Sequence, residues 1–266
     1  MIKTYVISLK DQKERRVAIK KQLCAINLKF TFFDAVDGRS NNLLLDPSYS
    51  GLKRRLYFGK DLTSPEIGAL LSNREILKKI ISGTDEVALI LEDDVILHKD
   101  FLFTLNNLLT SKAEWELVRF LGKSKMSEYR QRKICSLGKN YNLVRIGTSP
   151  GGSYAYIIKK TGAKKLLNAM KHIYFPPDII MGWPWKTHMG VITVLPGIAT
   201  WDKSFDSSLD CPDRFKKNLL TGWQKFIYPT TRGYFKIQLL FLKLFFYYRS
   251  YFNDKKTYSD SINVNQ

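Results

Sequence analysis

Apolar positions along the chain change repeatedly between short unbroken runs and a spacing of three to four residues, which predicts strands alternating with helices. Tyr5–Leu9 reads as a short buried strand. From Glu14 to Ile26 the apolar set is Val17, Ile19, Leu23 and Ile26, with basic residues between them, and this predicts a helix. Phe30–Phe33 is a second strand, followed by the polar turn Asp34–Arg39 (DAVDGR). A β-α-β beginning favours a parallel sheet with helices packed on it.

Ser64-Pro65-Glu66 announces the next helix with a hydroxyl N-cap, a proline at N1 and an acid in the first turn. Ile67, Leu70, Leu71, Leu77, Ile80 and Ile81 share one face of it, and Gly83 ends it. Val87–Leu91 is an unbroken apolar run that suits a central strand buried on both faces. Asp100–Leu109 predicts a helix and Leu117–Leu121 a strand, whereas the basic, poorly patterned stretch Lys123–Lys139 reads as a surface loop. Ser149–Gly152 is a turn into the strand Ser153–Ile158. Thr161 caps a helix with Ala163, Leu166, Leu167 and Met170 inward, and Val191–Leu195 is the last strand. The fold class is α/β, a mixed sheet flanked by helices.

The 266 residues suffice for one substantial α/β domain with an appendage, or two small domains. At 44% hydrophobic and 13% aromatic the chain is not disordered. Cys24, Cys135 and Cys211 are scattered with no CxxC pair, which argues against a disulfide scaffold or zinc module and fits a reducing compartment. The apolar stretch in Met1–Leu9 is too short for a signal peptide, and no run of about 18 apolar residues is present. The expectation is a soluble or membrane-surface protein of the cytoplasm.

Charge sharpens this. Lys and Arg total 43 against 24 acids, a net +19, so polyanions are the expected partners: nucleic acid, anionic lipid or phosphorylated substrates. From Arg214 to Lys256 ten Lys or Arg face one acid, Asp254, among many aromatics. This shift divides the chain into a catalytic domain, 1–205, and a basic, aromatic segment, 206–266. Gly233–Phe252 is apolar nearly all round, and in a helix Arg232, Lys236 and Lys243 fall on one stripe. Such a segment suits the interface of an anionic bilayer, bound through residues 214–256. The competing reading is a helix packed on its own domain or in a dimer, with the charged stripe outward.

The candidate chemistry lies at Glu92-Asp93-Asp94, directly after the central strand. In open α/β sheets the carboxyl end of a strand is where ligands bind. Strand alternation puts Glu92 and Asp94 on one side and Asp93 on the other. Two carboxylates facing one pocket suit Mg²⁺ or Mn²⁺, which completes its shell with phosphate oxygens. The alternative is a solvated turn whose acids cap the helix near Lys99 and Asp100.

Three stretches then carry a resemblance: VISL with Arg15-Arg16, Gln22-Leu23 and FFDAVDGR; EIGALLSNREILKKI with ALILEDDV (Glu66–Val95); and GGSYAYIIKKTGAKKLL (Gly151–Leu167), followed by PPDIIM (Pro176–Met181). In this order they resemble glycosyltransferase family 25, the enzymes of lipopolysaccharide biosynthesis. The resemblance implies a GT-A-like, Rossmann-like nucleotide-sugar-binding fold and a UDP-sugar donor, most often UDP-galactose. It further implies inversion at the anomeric carbon, with Mn²⁺ or Mg²⁺ as cofactor. Glu92-Asp93-Asp94 matches the family's metal-binding motif, with Asp94 the direct ligand and Glu92 beside it. The chain departs from the family at Ser72-Asn73, where the pattern usually has Ser-His.

Candidate roles follow. Asp178, after the stiffening Pro176-Pro177 and at the matching family element, is the candidate general base, or else the N-cap of a short helix Ile179–Gly182. Backbone groups after Ser8 and Leu9 can meet uracil, Asp37 and Gly38 can approach uracil or ribose, and Arg15 or Arg16 can reach the diphosphate. Arg15 and Arg16 can equally be a solvated basic face. Glu92, Asp93 and Ser72 join the donor side, although a helix serine often bonds its own backbone. His188 is a possible further metal ligand or simply a lone histidine. Trp183 and Trp185, flanking Pro184, offer indole faces to an acceptor sugar or pack in the core. The tail fits a lipid-linked oligosaccharide acceptor, with assembly on the cytoplasmic side of the inner membrane. A metal-dependent nuclease or nucleotidyltransferase would also want acids amid positive charge, but no nucleic-acid module is recognisable, so no nucleic acid is expected as partner. A non-catalytic membrane-binding protein is the third reading, and oligomeric state is not legible.

Overall fold

The computed structural model describes residues 2–39, 43–122, 126, 128–148, 150–202, 204 and 220–263. The β-α-β beginning is present as β1 (Lys3–Ser8), α1 (Lys13–Ala25) and β2 (Thr31–Asp34), followed by α2 (Gly51–Phe58), α3 (Ser64–Ser82) and β3 (Val87–Glu92). Then come β4 (Val95–Leu97), α4 (Phe101–Thr110), β5 (Leu117–Arg119), β6 (Gln131–Ser136), β7 (Asn142–Ile146), β8 (Ala155–Lys159) and α5 (Lys160–Ala169). The last elements are α6 (Pro177–Met181), α7 (Pro184–Thr187), β9 (Ile192–Leu195), β10 (Ala199–Trp201), α8 (Gln224–Arg249) and α9 (Tyr251–Asn263).

Eight strands form one mixed sheet in the order β2-β1-β3-β8-β5-β9-β7-β6, and β10 pairs with β4 beside it. β1 runs parallel to both β2 and β3, while β8 runs antiparallel to β3, with Leu91 opposite Ala155. Strand alternation sorts the core into two layers. Val6, Leu89, Leu91 and Ile157 pack with Ile19 and Leu23 of α1 and Phe101 of α4. Tyr5, Ala88, Ile90 and Tyr156 pack with Ile67, Leu70 and Leu77 of α3 and Leu166 of α5.

Three local expectations shift. The N-cap of α3 is Thr63, one residue earlier than Ser64, because Thr63 and Glu66 form a reciprocal capping box. The cap of α5 is Lys159 rather than Thr161. Within the expected loop 123–139 lies β6, the edge strand, whose alternation is masked by its charged residues and by a register shift between Lys133 and Cys135.

The C-terminal helices are docked on the domain. Phe235 of α8 is buried in the layer with Phe175 and Trp183. Thr231 and Arg232 donate to the last carbonyls of α2, Leu56 and Tyr57, at 2.6 and 2.7 Å. Asp254 of α9 is buried and takes Arg145 through both carboxylate oxygens, at 2.7 and 2.8 Å, and Arg132 at 2.8 Å. α8 packs on its own domain, as the competing reading has it, but its charged stripe is not turned outward. Arg232 stacks on Phe58 and Lys243 is half-buried, so these two of the three stripe residues face the domain. Phe226, Tyr234, Phe241 and Phe245 point outward, Phe226 84% and Phe241 69% exposed. Among the described residues no helix is long and apolar enough to cross a membrane. Arg214 and Cys211 lie outside the described residues.

Candidate active site

A cavity of about 510 Å³ opens at the carboxyl ends of β1 and β3. Ser8 and Leu9 reach it from the end of β1, Arg15 from α1, and Asp37 and Gly38 from the turn after β2. Ser72 and Asn73 line it from α3, Glu92, Asp93 and Asp94 from the end of β3, and Asp178 from α6. The cavity is within the range of small-ligand sites.

The acidic run divides into two arrangements. β3 ends at Glu92, so strand alternation does not extend through Asp93 and Asp94. Those two share Arg15 instead: Nη1 lies 2.8 Å from Asp93 Oδ1 and Nη2 2.8 Å from Asp94 Oδ2. Asp93 also takes the Ser8 hydroxyl on Oδ2 at 2.6 Å, so both its oxygens are engaged within the protein. Asp94 Oδ1 is buried and accepts no hydrogen bond among the described residues. Glu92 turns to Ser153, whose hydroxyl donates to Oε1 at 2.7 Å. Burial, with the charge of Asp94 beside it, pushes the Glu92 carboxyl up to about 8.

These donors fit a divalent ion. Glu92 is an oxygen donor that burial penalises when ionised, and Asp94 keeps one desolvated oxygen free, which is the chemistry a hard cation satisfies. Among the described residues no three His, Cys, Asp or Glu side chains gather into a metal site of their own. A bound ion would therefore draw much of its shell from ligand oxygens and water.

Asp178 sits at the start of α6 and accepts two backbone hydrogen bonds. Gly152 N–H donates to Oδ2 and Ile179 N–H to Oδ1, each at 2.9 Å. The capping alternative is not met: the helix starts at Pro177 with Pro176 as its N-cap and no side-chain cap, so Asp178 lies within the first turn while its carboxylate lines the cavity.

Several donor-side residues take structural partners. Arg16 donates to Asp34 at 2.6 Å and to the carbonyls of Ser8 and Leu9, which knits β1 to β2. Asp37 is clamped by Arg39, whose hydrogen bonds hold its carboxyl down at about 2. Gly38 lines the cavity and is required by packing, because a Cβ there would meet the Ser64 carbonyl oxygen at 2.3 Å. Ser72 back-bonds to the Gly68 carbonyl and accepts the Val36 N–H, both at 2.8 Å, tying α3 to the turn after β2. Asn73 is likewise paired, through Ala69 and Tyr156.

The structure does not bring Trp183, Trp185 or His188 to the cavity. Trp183 is 3% exposed and packs on Phe175 at a ring distance of 4.3 Å, with Trp185 stacked behind it at 5.5 Å. His188 is the left-handed C-cap of α7, its N–H taken by Pro184. The indole at the cavity is Trp201, tilted against Tyr154 at 5.7 Å. Sequence reasoning missed it because Trp201 lies in a short strand with no apolar run. Ser153 and Gly152 were missed as well, since the Gly-Gly pair signals a turn without saying what the turn faces.

A mixed α/β sheet with a carboxylate-lined cavity at its carboxyl edge defines an α/β domain built to hold a small ligand there. The chain belongs to glycosyltransferase family 25 (LPS biosynthesis protein), whose model matches residues 1–181. Procollagen galactosyltransferase 1-B of Xenopus laevis is 31% identical over 177 residues, covering 62% of this chain and 28% of that protein. Human procollagen galactosyltransferase 2 is 28% identical over 177 residues, covering 62% and 27%. The probable inactive glycosyltransferase 25 family member 3 of Rattus norvegicus is 29% identical over 187 residues, covering 65% and 31%. The chain thus spans under a third of the length of each of these relatives. A solved glycosyltransferase involved in glycosylation of the major capsid of PBCV-1 aligns at 10% identity and TM-score 0.29, covering 74% of this chain and 93% of that one, a score too low to carry an argument.

Proposed function

We propose that the chain is an inverting hexosyltransferase that moves galactose from UDP-galactose to a lipooligosaccharide or lipopolysaccharide core, with Mn²⁺ or Mg²⁺ as cofactor. The observation that carries this reading is the convergence of Glu92, Asp94 and Asp178 on one cavity. Family membership supports glycosyl transfer, and relatives named as galactosyltransferases support the donor sugar. Glu92 and Asp94 Oδ1 would hold the ion, which stabilises the charge that gathers on the departing diphosphate. Arg15 lies beside the same carboxylates and keeps Asp93 and Asp94 compensated. Asp178, held by two N–H groups, takes the proton from the acceptor hydroxyl as that oxygen attacks the anomeric carbon. Inversion needs only this one displacement. The indole face of Trp201 offers a stacking surface for the C–H face of a sugar ring.

We further propose that the chain works on a lipid-linked acceptor at an anionic surface on the cytoplasmic side of the inner membrane. The outward aromatic face of α8 and the net +19 support this. A screen of nucleotide sugars, with and without EDTA, tests the reaction. Metal-dependent UDP release from UDP-galactose is the expected result, and turnover unchanged by EDTA or absent from every UDP-sugar would overturn it.

A further inference from the structure

A buried arginine holds the loop that leads into β8. Arg119, the last residue of β5, is 1% exposed. Its Nη2 donates to the carbonyl of Pro150 at 2.7 Å and to the carbonyl of Gly152. Between those two carbonyls lies the Gly152 N–H that donates to Asp178. The next residue, Ser153, donates to Glu92. One guanidinium therefore secures a short loop that touches carboxylates from both α6 and β3.

Burying a guanidinium is costly, and a well-packed apolar residue is often at least as stable in its place. Arg119 bears that cost with its Nε and Nη1 lacking a hydrogen-bond partner among the described residues. Burial lowers its pKa to about 10, and the negative charge of Asp178 acts in the opposite direction. Gly152 adopts φ +106°, a conformation that side chains rarely take, and a Cβ there would meet the Tyr154 ring at 3.0 Å. The loop is thus held in one shape from both directions, by the clamp and by the glycine.

We propose that Arg119 is a positioning residue for the transfer reaction: by clamping Pro150 and Gly152 it fixes the Gly152 N–H that aims Asp178. This rests on the reading of Asp178 as the base. A misplacement of about 1 Å in a reacting group costs on the order of 10²-fold in rate, so the effect belongs in kcat.

The test compares Arg119→Met, Arg119→Lys and Asp178→Asn in the full chain. It measures UDP release from UDP-galactose with Mn²⁺ and a lipooligosaccharide acceptor, together with Tm and UDP affinity. Arg119→Met should lower kcat about 10²-fold with the donor KM and UDP affinity unchanged. Arg119→Lys, which keeps a donor for the carbonyls, should recover part of that loss. If Arg119→Met does not fold, Gly152→Ala disturbs the same loop and should give the same kcat-only loss. A fall in Tm with kcat intact, or equal losses in kcat and UDP affinity, overturns the proposal. Full loss at Asp178→Asn with none at Arg119→Met overturns it alone, whereas a near-wild-type Asp178→Asn overturns the base assignment and this proposal with it.

Discussion

Arg15 Nη2 stands 2.8 Å from Asp94 Oδ2, so a guanidinium already lies against the carboxylate proposed to receive a divalent ion. With its other nitrogen on Asp93, Arg15 compensates one buried and one half-buried acid at once. Arg15→Met leaves both without this cation, with only the Ser8 hydroxyl still on Asp93, and breaking a buried pair of this kind costs about 3–5 kcal/mol. Mn²⁺ should then return more stability to the variant than to the wild type, because it replaces the missing charge. Urea unfolding with and without Mn²⁺ measures this; equal increments in the two proteins would sink the idea.

Glu92 gives the fold a pH dependence of definite sign. Its folded pKa, about 8, lies above the ordinary carboxylate range near 4.5. The folded state therefore holds the proton more tightly than the unfolded chain, and stability falls as pH rises from about 4.5 to about 8. Glu92→Gln removes this slope. The variant should match the wild type in mild acid and exceed it above pH 8, read as the difference in Tm across that range. Parallel curves would count against it.

Asp178→Asn keeps an oxygen to accept one backbone N–H and removes the base. Turnover should fall by about 10²–10⁴-fold while UDP affinity changes little. Rapid-quench turnover set beside UDP titration separates the two, and a rate close to wild type removes Asp178 from the mechanism.

The aromatic face of α8 is best tested by substitution. Deleting the tail would uncover the layer around Phe235 and strip Arg132 and Arg145 of Asp254, so lost binding and lost folding would be confounded. Ile237→Ser, Phe241→Ser and Phe245→Ser together change only exposed positions. Co-sedimentation with vesicles containing anionic lipid at low salt should drop at least about tenfold, since each large apolar side chain contributes about 1.5–3 kcal/mol on burial. Undiminished binding would assign this face to something other than lipid.

Asp254 joins α9 to β6 and β7 through two arginines. Asp254→Ala leaves two largely buried guanidinium groups unpaired, a loss of about 3–5 kcal/mol. Hydrogen exchange should show α9 opening ahead of β1 and β3. Uniform exchange across the chain would mean that the helix is held by other contacts.

The central sheet and its acidic edge were legible because they depend on unambiguous periodicity. Val87–Leu91 is short, apolar throughout and rich in β-branched residues, as a buried strand is, and Glu92-Asp93-Asp94 stops it abruptly. Residues whose roles come from the sequence immediately around them were also legible, as with the α3 start near Ser64. What was not legible depends on contacts between distant segments. Nothing local distinguishes Trp183, which packs in the core, from Trp201, which lines the cavity. The charged strand β6 looks like a loop because it is an edge whose outward residues are free to be basic. The rotation of α8 is hidden for the same reason: a helix wheel gives the angle between two stripes but not which one meets the protein.

Since β8 runs opposite to β3, the residues that enter β8 arrive beside the residues that leave β3, and the Glu92 N–H bonds the Tyr154 carbonyl at 2.8 Å. Had β8 been parallel, its entry loop would have emerged at the other end of the sheet, beyond reach of Glu92. One reversal of chain direction thus lets a segment some sixty positions downstream supply a wall of the ligand chamber.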